Sequence, residues 1–207
     1  MKGLLLKDFY TVTKYCRIFF LIVLGFLVIS CCGNDSIIFT IYPAIFAGMI
    51  PTTLFSYDER EKWNITCDTL PYSRAQYVSS KYLTGLFFEV SVLILSAIAQ
   101  GIKMYSTGYF NISEYLLILS IVFGVGMIAP AVILPLFFRF GAEKGRIAYY
   151  IIIGFLCAGT TALMGSRVIN PNLMTSVWVA PLACAVVVLL FALSWGLSIL
   201  LYKKRDL

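Results

Sequence analysis

Six apolar runs, each long enough to cross a lipid bilayer, dominate this sequence. A helix needs about 20 apolar residues to cross the roughly 30 Å hydrocarbon core of a membrane. Such runs occupy approximately residues 17–33, 37–56, 82–103, 114–138, 147–165 and 176–202. Lipid offers no partner to backbone N–H and C=O groups, and no alternating strand pattern favours a barrel. The sequence therefore predicts an all-α membrane protein with six transmembrane helices, forming one domain over residues 1–207.

The distribution of charge predicts the orientation of these helices. Apolar residues make up 60% of the 207 residues and charged residues only 13%, against about 25% charged in soluble domains. With the N-terminus inside, all but two of the sixteen Lys and Arg residues, Lys103 and Arg167, would lie on the cytoplasmic side. Because positive residues stay on that side, both termini are predicted to be cytoplasmic. The net charge of +6 then requires no nucleic-acid partner.

The first sixteen residues are predicted to form an amphipathic helix in the cytoplasmic headgroup layer. Helical spacing places Leu5, Phe9, Val12 and Cys16 on one face, with the lysines mostly elsewhere. The alternative is a flexible basic segment that only sets the topology.

Several residue types and motifs are missing from the sequence. It has no His, which excludes His-based zinc sites, Ser-His-Asp triads and imidazole proton relays within this chain. The six Cys residues form no C-x-x-C pair and are interpreted as packing residues. No G-x-x-x-x-G-K-[ST] phosphate loop is present. We therefore expect no catalytic residue, no metal site and no nucleotide site in this chain.

The largest polar segment, residues 57–81, joins the second and third runs and is predicted to face the cytoplasm. Its first part, "YDEREKW", alternates in charge and ends at Trp63. After Pro71, Ser73 and Gln76 form a capping-box pattern that starts a helix leading into the third run. This combination is typical of a docking surface in which an aromatic residue enters a groove on a cytosolic partner. The alternative is a charged segment that only returns the chain to the membrane.

The segments "KGLLLKDFY", "DEREKW" and "LPYSRAQYVSSKYL", together with the six runs, resemble the small permease subunits of bacterial ABC-2 type exporters. The resemblance implies a multi-pass protein of the bacterial cell membrane that pairs with a second copy or a paralogue. It also implies a separate ABC ATPase subunit that binds ATP and Mg²⁺, with no cofactor in this chain. The cargo would be a peptide, a lipid or a hydrophobic small molecule.

In that family the first cytoplasmic loop is a coupling loop that docks on the ATPase. By resemblance, the docking residues here are Asp58, Glu59, Arg60, Glu61, Lys62 and Trp63, followed by Pro71, Ser73 and Arg74.

Glu89 is an acidic residue about two turns into the third run. A charged side chain in a membrane costs a few kcal/mol unless it is neutralised, paired or hydrated. Glu89 is therefore a candidate for the translocation path or the permease interface, or it is protonated or paired with Arg17 or Lys81. It also supports a rival function, an ion-coupled secondary transporter with Glu89 as the coupling acid. An accessory membrane anchor for an ATPase is a second rival.

Two further patterns concern the shapes of the spans. Prolines break the backbone hydrogen-bond ladder of a helix and so predict kinks in the second and fourth runs. We interpret these kinks as static bends, with hinges for transport as the alternative. The prolines are Pro43, Pro51, Pro130 and Pro135. A stripe of small residues predicts close helix packing by the fifth run; its members are Gly154, Ala158, Ala162 and Ser166.

Overall fold

The computed structural model describes residues 2–15, 17–32, 38–63, 66, 72–106, 108, 111–148, 150–151 and 179–204. Within these ranges the regular elements are helices. They are α1 (Lys2–Tyr15), α2 (Arg17–Cys32), α3 (Ile38–Arg60), α4 (Arg74–Ser106), α5 (Ile112–Phe140) and α6 (Val179–Lys203), together with a short helical segment at residues 142–148. The predicted all-α class is confirmed.

Four helices are long and apolar enough to cross a membrane: Phe39–Arg60, Arg74–Ser106, Ile112–Phe140 and Pro181–Lys203. A fifth candidate consists of α1 and α2 together, which are bent by 70° relative to each other. The described residues thus contain four to five candidate spans. Most of the predicted run at residues 147–165 lies outside the described residues, and so does the stripe Gly154, Ala158, Ala162 and Ser166.

Side-chain contacts fix the direction in which neighbouring helices run. The Ser194 hydroxyl of α6 donates to the Ala131 carbonyl of α5 at 2.6 Å, and Cys184 Sγ lies 3.8 Å from the Ser120 carbonyl oxygen. The contact later in α5, at Ala131, is also the contact later in α6, at Ser194, so the two helices run parallel. In contrast, α4 is antiparallel to α5. The Tyr115 hydroxyl donates to the Ala97 carbonyl at 3.1 Å, whereas Gly126, later in α5, lies against Glu89, earlier in α4.

These directions bring the polar connections to one end of the protein, which we call the loop end. The loop end comprises the last turn of α3 and residues 61–63, the start of α4, residues 140–146 and the end of α6. An aromatic cluster lies directly beneath it, formed by Phe55, Tyr77, Phe138 and Tyr202, with ring centroids 5.0–6.3 Å apart in each contacting pair. Burial of these large rings stabilises the loop end by the hydrophobic effect.

The four prolines that predict kinks all lie within helices, Pro43 and Pro51 in α3 and Pro130 and Pro135 in α5. Two of them pack against glycines of neighbouring helices, Pro51 against Gly85 and Pro130 against Gly48. The missing side chain of each glycine makes room for a proline ring, so these contacts bring the helices close together. The kinks themselves stay a prediction.

Candidate functional site

The segment with the strongest predicted function, residues 58–63, lies at the loop end. Helix α3 runs on through Arg60, so Asp58, Glu59 and Arg60 occupy its last turn rather than a separate loop. The helix then closes with a hydrogen bond from the Lys62 N–H to the Glu59 carbonyl at 3.1 Å. Lys62 has φ +55°, the left-handed conformation in which many helices end.

Asp58 belongs to a buried group of four charges, which we call the four-charge cluster: Lys7 and Asp8 of α1, Asp58 of α3 and Lys81 of α4. Lys81 Nζ lies 2.5 Å from Asp8 Oδ1 and 2.6 Å from Asp58 Oδ2. Lys7 also forms an ion pair with Asp58 and lies 3.8 Å from Asp8. The Tyr77 hydroxyl donates to Asp58 at 3.1 Å. Two cations and two anions balance, which offsets part of the cost of removing them from water.

The four-charge cluster ties three helices together at the loop end. Asp8 and Asp58 are each 1% exposed and Lys81 is fully buried. Burial lowers the pKa of Lys7 from its ordinary value, and the charge of Lys81 lowers it further, while Asp58 opposes both effects. Asp58 therefore points into the protein. The physical reason is that its carboxylate already has two ammonium partners. Its role in docking on the ATPase stays a prediction.

Trp63 also folds back onto the protein. Its ring is half-buried against the apolar core, and Lys7 Nζ lies 4.6 Å from the ring centroid, within the range of a cation–π interaction. Its indole Nε1 is buried and has no hydrogen-bond partner among the described residues. The ring thus holds residues 61–63 against α1. Its predicted role as an aromatic anchor in a groove of the ATPase stays a prediction.

The exposed part of the predicted docking segment is Arg60, Glu61 and Lys62. Glu59 is half-buried, and its carboxylate accepts a hydrogen bond from the Ala142 N–H. That bond joins the end of α3 to the second polar connection.

Between these two segments lies an open polar cleft of about 560 Å³, which we call the loop-end cleft. Its charged lining residues are Glu59, Arg60, Glu143, Lys144 and Arg146. Arg146 also reaches across to the Ser56 hydroxyl at 3.3 Å. The cleft presents both signs of charge within a small area, which suits a partner of complementary pattern.

The start of α4 matches the predicted capping box. The Gln76 N–H donates to Ser73 Oγ at 3.2 Å, and the Ser73 N–H donates to Gln76 Oε1 at 3.1 Å, so the prediction is confirmed. Arg74 follows, with its guanidinium 6.0 Å from the Tyr202 ring centroid and donating to the Lys203 carbonyl at 3.4 Å. Pro71 lies outside the described residues.

Glu89 lies apart from the loop end, in the interior between α4 and α5. It is 2% exposed, and neither carboxylate oxygen has a hydrogen-bond partner among the described residues. It contacts neither Arg17 nor Lys81 there, and it is not on an exposed face of this chain.

The comparisons with known proteins agree with this architecture. A family model for ABC-2 family transporter proteins matches residues 3–203. The chain belongs to the ABC-2 transporter family. No curated protein and no solved structure gave a match. Membership makes the chain the membrane component of a transporter, not a catalytic domain.

This ABC-2 family member contains functional candidates that sequence reasoning missed. Lys7 and Lys81 were counted as charges that set topology, and Lys81 also as a possible partner of Glu89. Neither they nor Asp8 was predicted to form the four-charge cluster with Asp58. An Asp within an otherwise basic amphipathic helix was the available signal, because a charge on the buried face requires a partner.

A second polar group lies at the opposite end of the bundle and was also missed. Gln100 of α4 donates to Thr40 of α3, whose hydroxyl lies 2.8 Å from Ser30 Oγ of α2. Such interhelical hydrogen bonds satisfy polar groups that lipid cannot. They join the far ends of α2, α3 and α4, whereas the four-charge cluster joins α1, α3 and α4 at the loop end.

Proposed function

We propose that this chain is the permease subunit of an ATP-driven ABC exporter in the bacterial plasma membrane. A separate ATPase subunit would bind ATP and Mg²⁺ and dock at the loop end, and a second permease copy or a paralogue would complete the translocation path. The observation that supports this most directly is an exposed charged turn, Arg60–Lys62. This turn closely follows Asp58 of the four-charge cluster, which links α1, α3 and α4. Force applied at such a turn reaches the membrane helices without being lost in a flexible loop.

We propose six spans with both termini on the cytoplasmic side. The parallel arrangement of α5 and α6 supports this count, because a chain that leaves α5 at the loop end must return to the far end before α6 begins. One more crossing between these helices, added to α2, α3, α4, α5 and α6, gives six. The concentration of Lys and Arg at the loop end supports its cytoplasmic assignment.

The proposed docking face combines the exposed turn with the loop-end cleft. Arg60, Glu61 and Lys62 border it on one side, and Glu143 and Lys144 on the other. Because the Glu59 carboxylate bonds to the Ala142 N–H, the two sides would move as one unit when the ATPase moves. Complementary charges at such a rim favour correct docking more than they add raw affinity.

The proposed direction of transport is export, and the proposed cargo is a peptide, a lipid or a hydrophobic small molecule. The two far-side connections between described spans, residues 33–37 and 107–111, are five residues each. Connections of this length offer little surface for recognition of large polar cargo. Cargo would instead be selected within the membrane, where apolar molecules already concentrate.

A matched pair of charge reversals tests the docking face. Glu61→Lys changes an exposed residue at the loop end, whereas Glu114→Lys makes the same change on an exposed residue at the far end. Each chain would be co-expressed with the ATPase from its gene neighbourhood, and recovery of the ATPase on the purified permease would be measured at two salt concentrations. We expect Glu61→Lys to weaken association about tenfold, equivalent to about 1.4 kcal/mol, and Glu114→Lys to leave it unchanged. Equal recovery with both variants would contradict docking at this face.

The same purified system distinguishes the proposed exporter from the two rival functions, a membrane anchor for an ATPase and an ion-coupled secondary transporter. An exporter hydrolyses ATP faster when cargo is added to the reconstituted complex, whereas a membrane anchor binds the ATPase without cargo-stimulated hydrolysis. An ion-coupled transporter would move cargo in liposomes under an ion gradient with no ATPase present.

A further inference from the structure

Glu89 has a geometry that neither docking nor simple packing explains. Its side chain lies on the buried face of α4 and is 2% exposed. Both carboxylate oxygens are buried without a hydrogen-bond partner among the described residues. An isolated carboxylate removed from water costs so much free energy that such groups are normally neutralised, paired or bound to an ion.

The space around the carboxyl group decides which ligand it can take. Gly126 of α5 faces it, and a methyl group added at Gly126 would overlap the Glu89 carboxyl. Helix α3 also approaches Gly126 closely, since a methyl group added at Gly48 would lie 2.6 Å from the Gly126 carbonyl oxygen. The Glu89 carboxyl group therefore occupies a gap on the surface of α5 that exists because Gly126 has no side chain. We call this gap the notch. A metal ion or a cationic group would need space beside the carboxyl, whereas a proton needs none.

Among the described residues, no countercharge reaches the Glu89 carboxyl. On α4 the nearest charged residue is Lys81, eight residues away, or about 12 Å along the helix, and it is held by the four-charge cluster. Neither carboxylate oxygen of Glu89 has a partner among the charged residues that the structure describes on α4 and on the helices packed against it. Besides Lys81, these residues are Lys2, Lys7, Asp8 and Lys14 of α1, Arg17 of α2, Asp58, Glu59 and Arg60 of α3, Arg74 and Lys103 of α4, Glu114 and Arg139 of α5, and Lys203 of α6.

We propose that Glu89 is a proton-binding site that closes α4 against α5. With the proton bound, the neutral carboxyl group fits the notch at Gly126. Loss of the proton to water leaves a carboxylate that requires hydration, which the notch can provide only when α4 and α5 separate. Separation of the two helices is therefore linked to proton release, and their closure to proton uptake. This proposal concerns the permease chain alone and does not rest on ATPase docking.

The first experiment compares the unmodified full-length chain with Glu89→Gln, which has nearly the shape of the protonated acid but cannot ionise. Equilibrium unfolding would be measured on both purified chains in the same mixed micelles across a pH series. We expect similar stability at acidic pH. As the pH rises, the unfolding constant of the unmodified chain should increase relative to Glu89→Gln, by up to tenfold per pH unit for one proton. All other titrating groups are common to both chains and cancel in the ratio.

A ratio that stays constant across the pH series would overturn the proposal. Because the comparison uses no ATPase, this failure is distinct from a failure of the docking face. Infrared spectroscopy of the same samples adds a direct readout, since a protonated carboxyl band present at neutral pH should be absent from Glu89→Gln. An unchanged carboxyl band in Glu89→Gln would also overturn the proposal.

A second set of variants tests the notch. Gly126→Ala should destabilise the chain, because the added methyl group overlaps the Glu89 carboxyl, and Glu89→Ala in the same chain should recover much of the loss. Gly124→Ala is the matched control on the same helix, since a methyl group there meets nothing within 4 Å. If Gly126→Ala is no more destabilising than Gly124→Ala, or if Glu89→Ala gives no recovery, the carboxyl does not occupy the notch and the proposal fails.

Discussion

Replacing Lys81 with Met should destabilise the permease by about 3–5 kcal/mol, the range measured when one partner of a buried ion pair is removed. Lys81 is fully buried, with its ammonium group 2.5 Å from Asp8 and 2.6 Å from Asp58. Without it, the two buried carboxylates share the single charge of Lys7, and one negative charge is left uncompensated. At about 2–4 °C per kcal/mol for a chain of this length, the expected loss in unfolding temperature is about 6–20 °C.

Thermal unfolding of the purified chain in lipid nanodiscs, followed by tryptophan fluorescence, measures this loss. Lys204→Met is the control, because Lys204 is exposed at the end of α6 and its removal should shift the unfolding temperature by less than about 2 °C, from an effect within about 0.5 kcal/mol. A double variant, Lys81→Met with Asp8→Asn, restores the balance of charge by leaving Lys7 paired with Asp58. We expect it to be more stable than Lys81→Met alone.

Two results would refute this reasoning. If Lys81→Met were no less stable than Lys204→Met, the four-charge cluster would contribute nothing to stability. If the double variant were less stable than Lys81→Met by the full cost of a second lost partner, the loss would come from packing and hydrogen bonding rather than from uncompensated charge.

Three further changes test other contacts. Ser73→Ala removes the N-cap of α4 and should cost about 1 kcal/mol, measured by chemical unfolding, with no loss if the cap does not form in solution. Gly48→Ala places a methyl group 2.6 Å from the Gly126 carbonyl and should cost about 1–3 kcal/mol, whereas Gly25→Ala, with nothing within 4 Å, should not; equal effects would contradict the close approach of α3 and α5. Gln100→Leu removes an interhelical donor and should cost about 1–2 kcal/mol, seen as a lower unfolding temperature; an unchanged temperature would show that the far-end hydrogen bonds do not contribute.

The features that the sequence predicted well are those decided by residues close together in the chain. Hydropathy over about 20 residues placed the helices near their observed positions, because each helix satisfies its own backbone in lipid. The capping box at Ser73 and Gln76 is equally local, since its two hydrogen bonds span three residues. In both cases, interactions between residues close in sequence were enough for the prediction.

The protein-facing side of α1 shows a limit of local reasoning. Hydrophobic periodicity grouped Leu5, Phe9 and Val12 on a face predicted to lie in the headgroup layer, whereas the residues buried against the rest of this chain are Leu4, Asp8 and Val12, and Phe9 is 45% exposed. Asp8 faces the protein because it pairs with Lys81, which lies 73 residues further along the chain. A partner at that distance in sequence leaves no local pattern, so periodicity gave no indication of this contact. The position of α1 in the headgroup layer stays a prediction.

The same limit applies to α4, whose buried face includes Lys81, Gly85, Glu89 and Gln100. Their spacing of four to eleven residues keeps them near one side of a helix, although sequence reasoning did not group them. Each of these residues contacts a different neighbour. Carboxylates of α1 and α3 neutralise Lys81, a glycine of α5 makes room for Glu89, and α3 supplies an acceptor to Gln100. Within the part of the chain that the structure describes, the first and last of these positions have polar partners, whereas Glu89, between them, has none. Separation of α4 from α5 would therefore act on Glu89 by giving its carboxyl group access to water. This access is the physical basis of the link between protonation and helix movement proposed above.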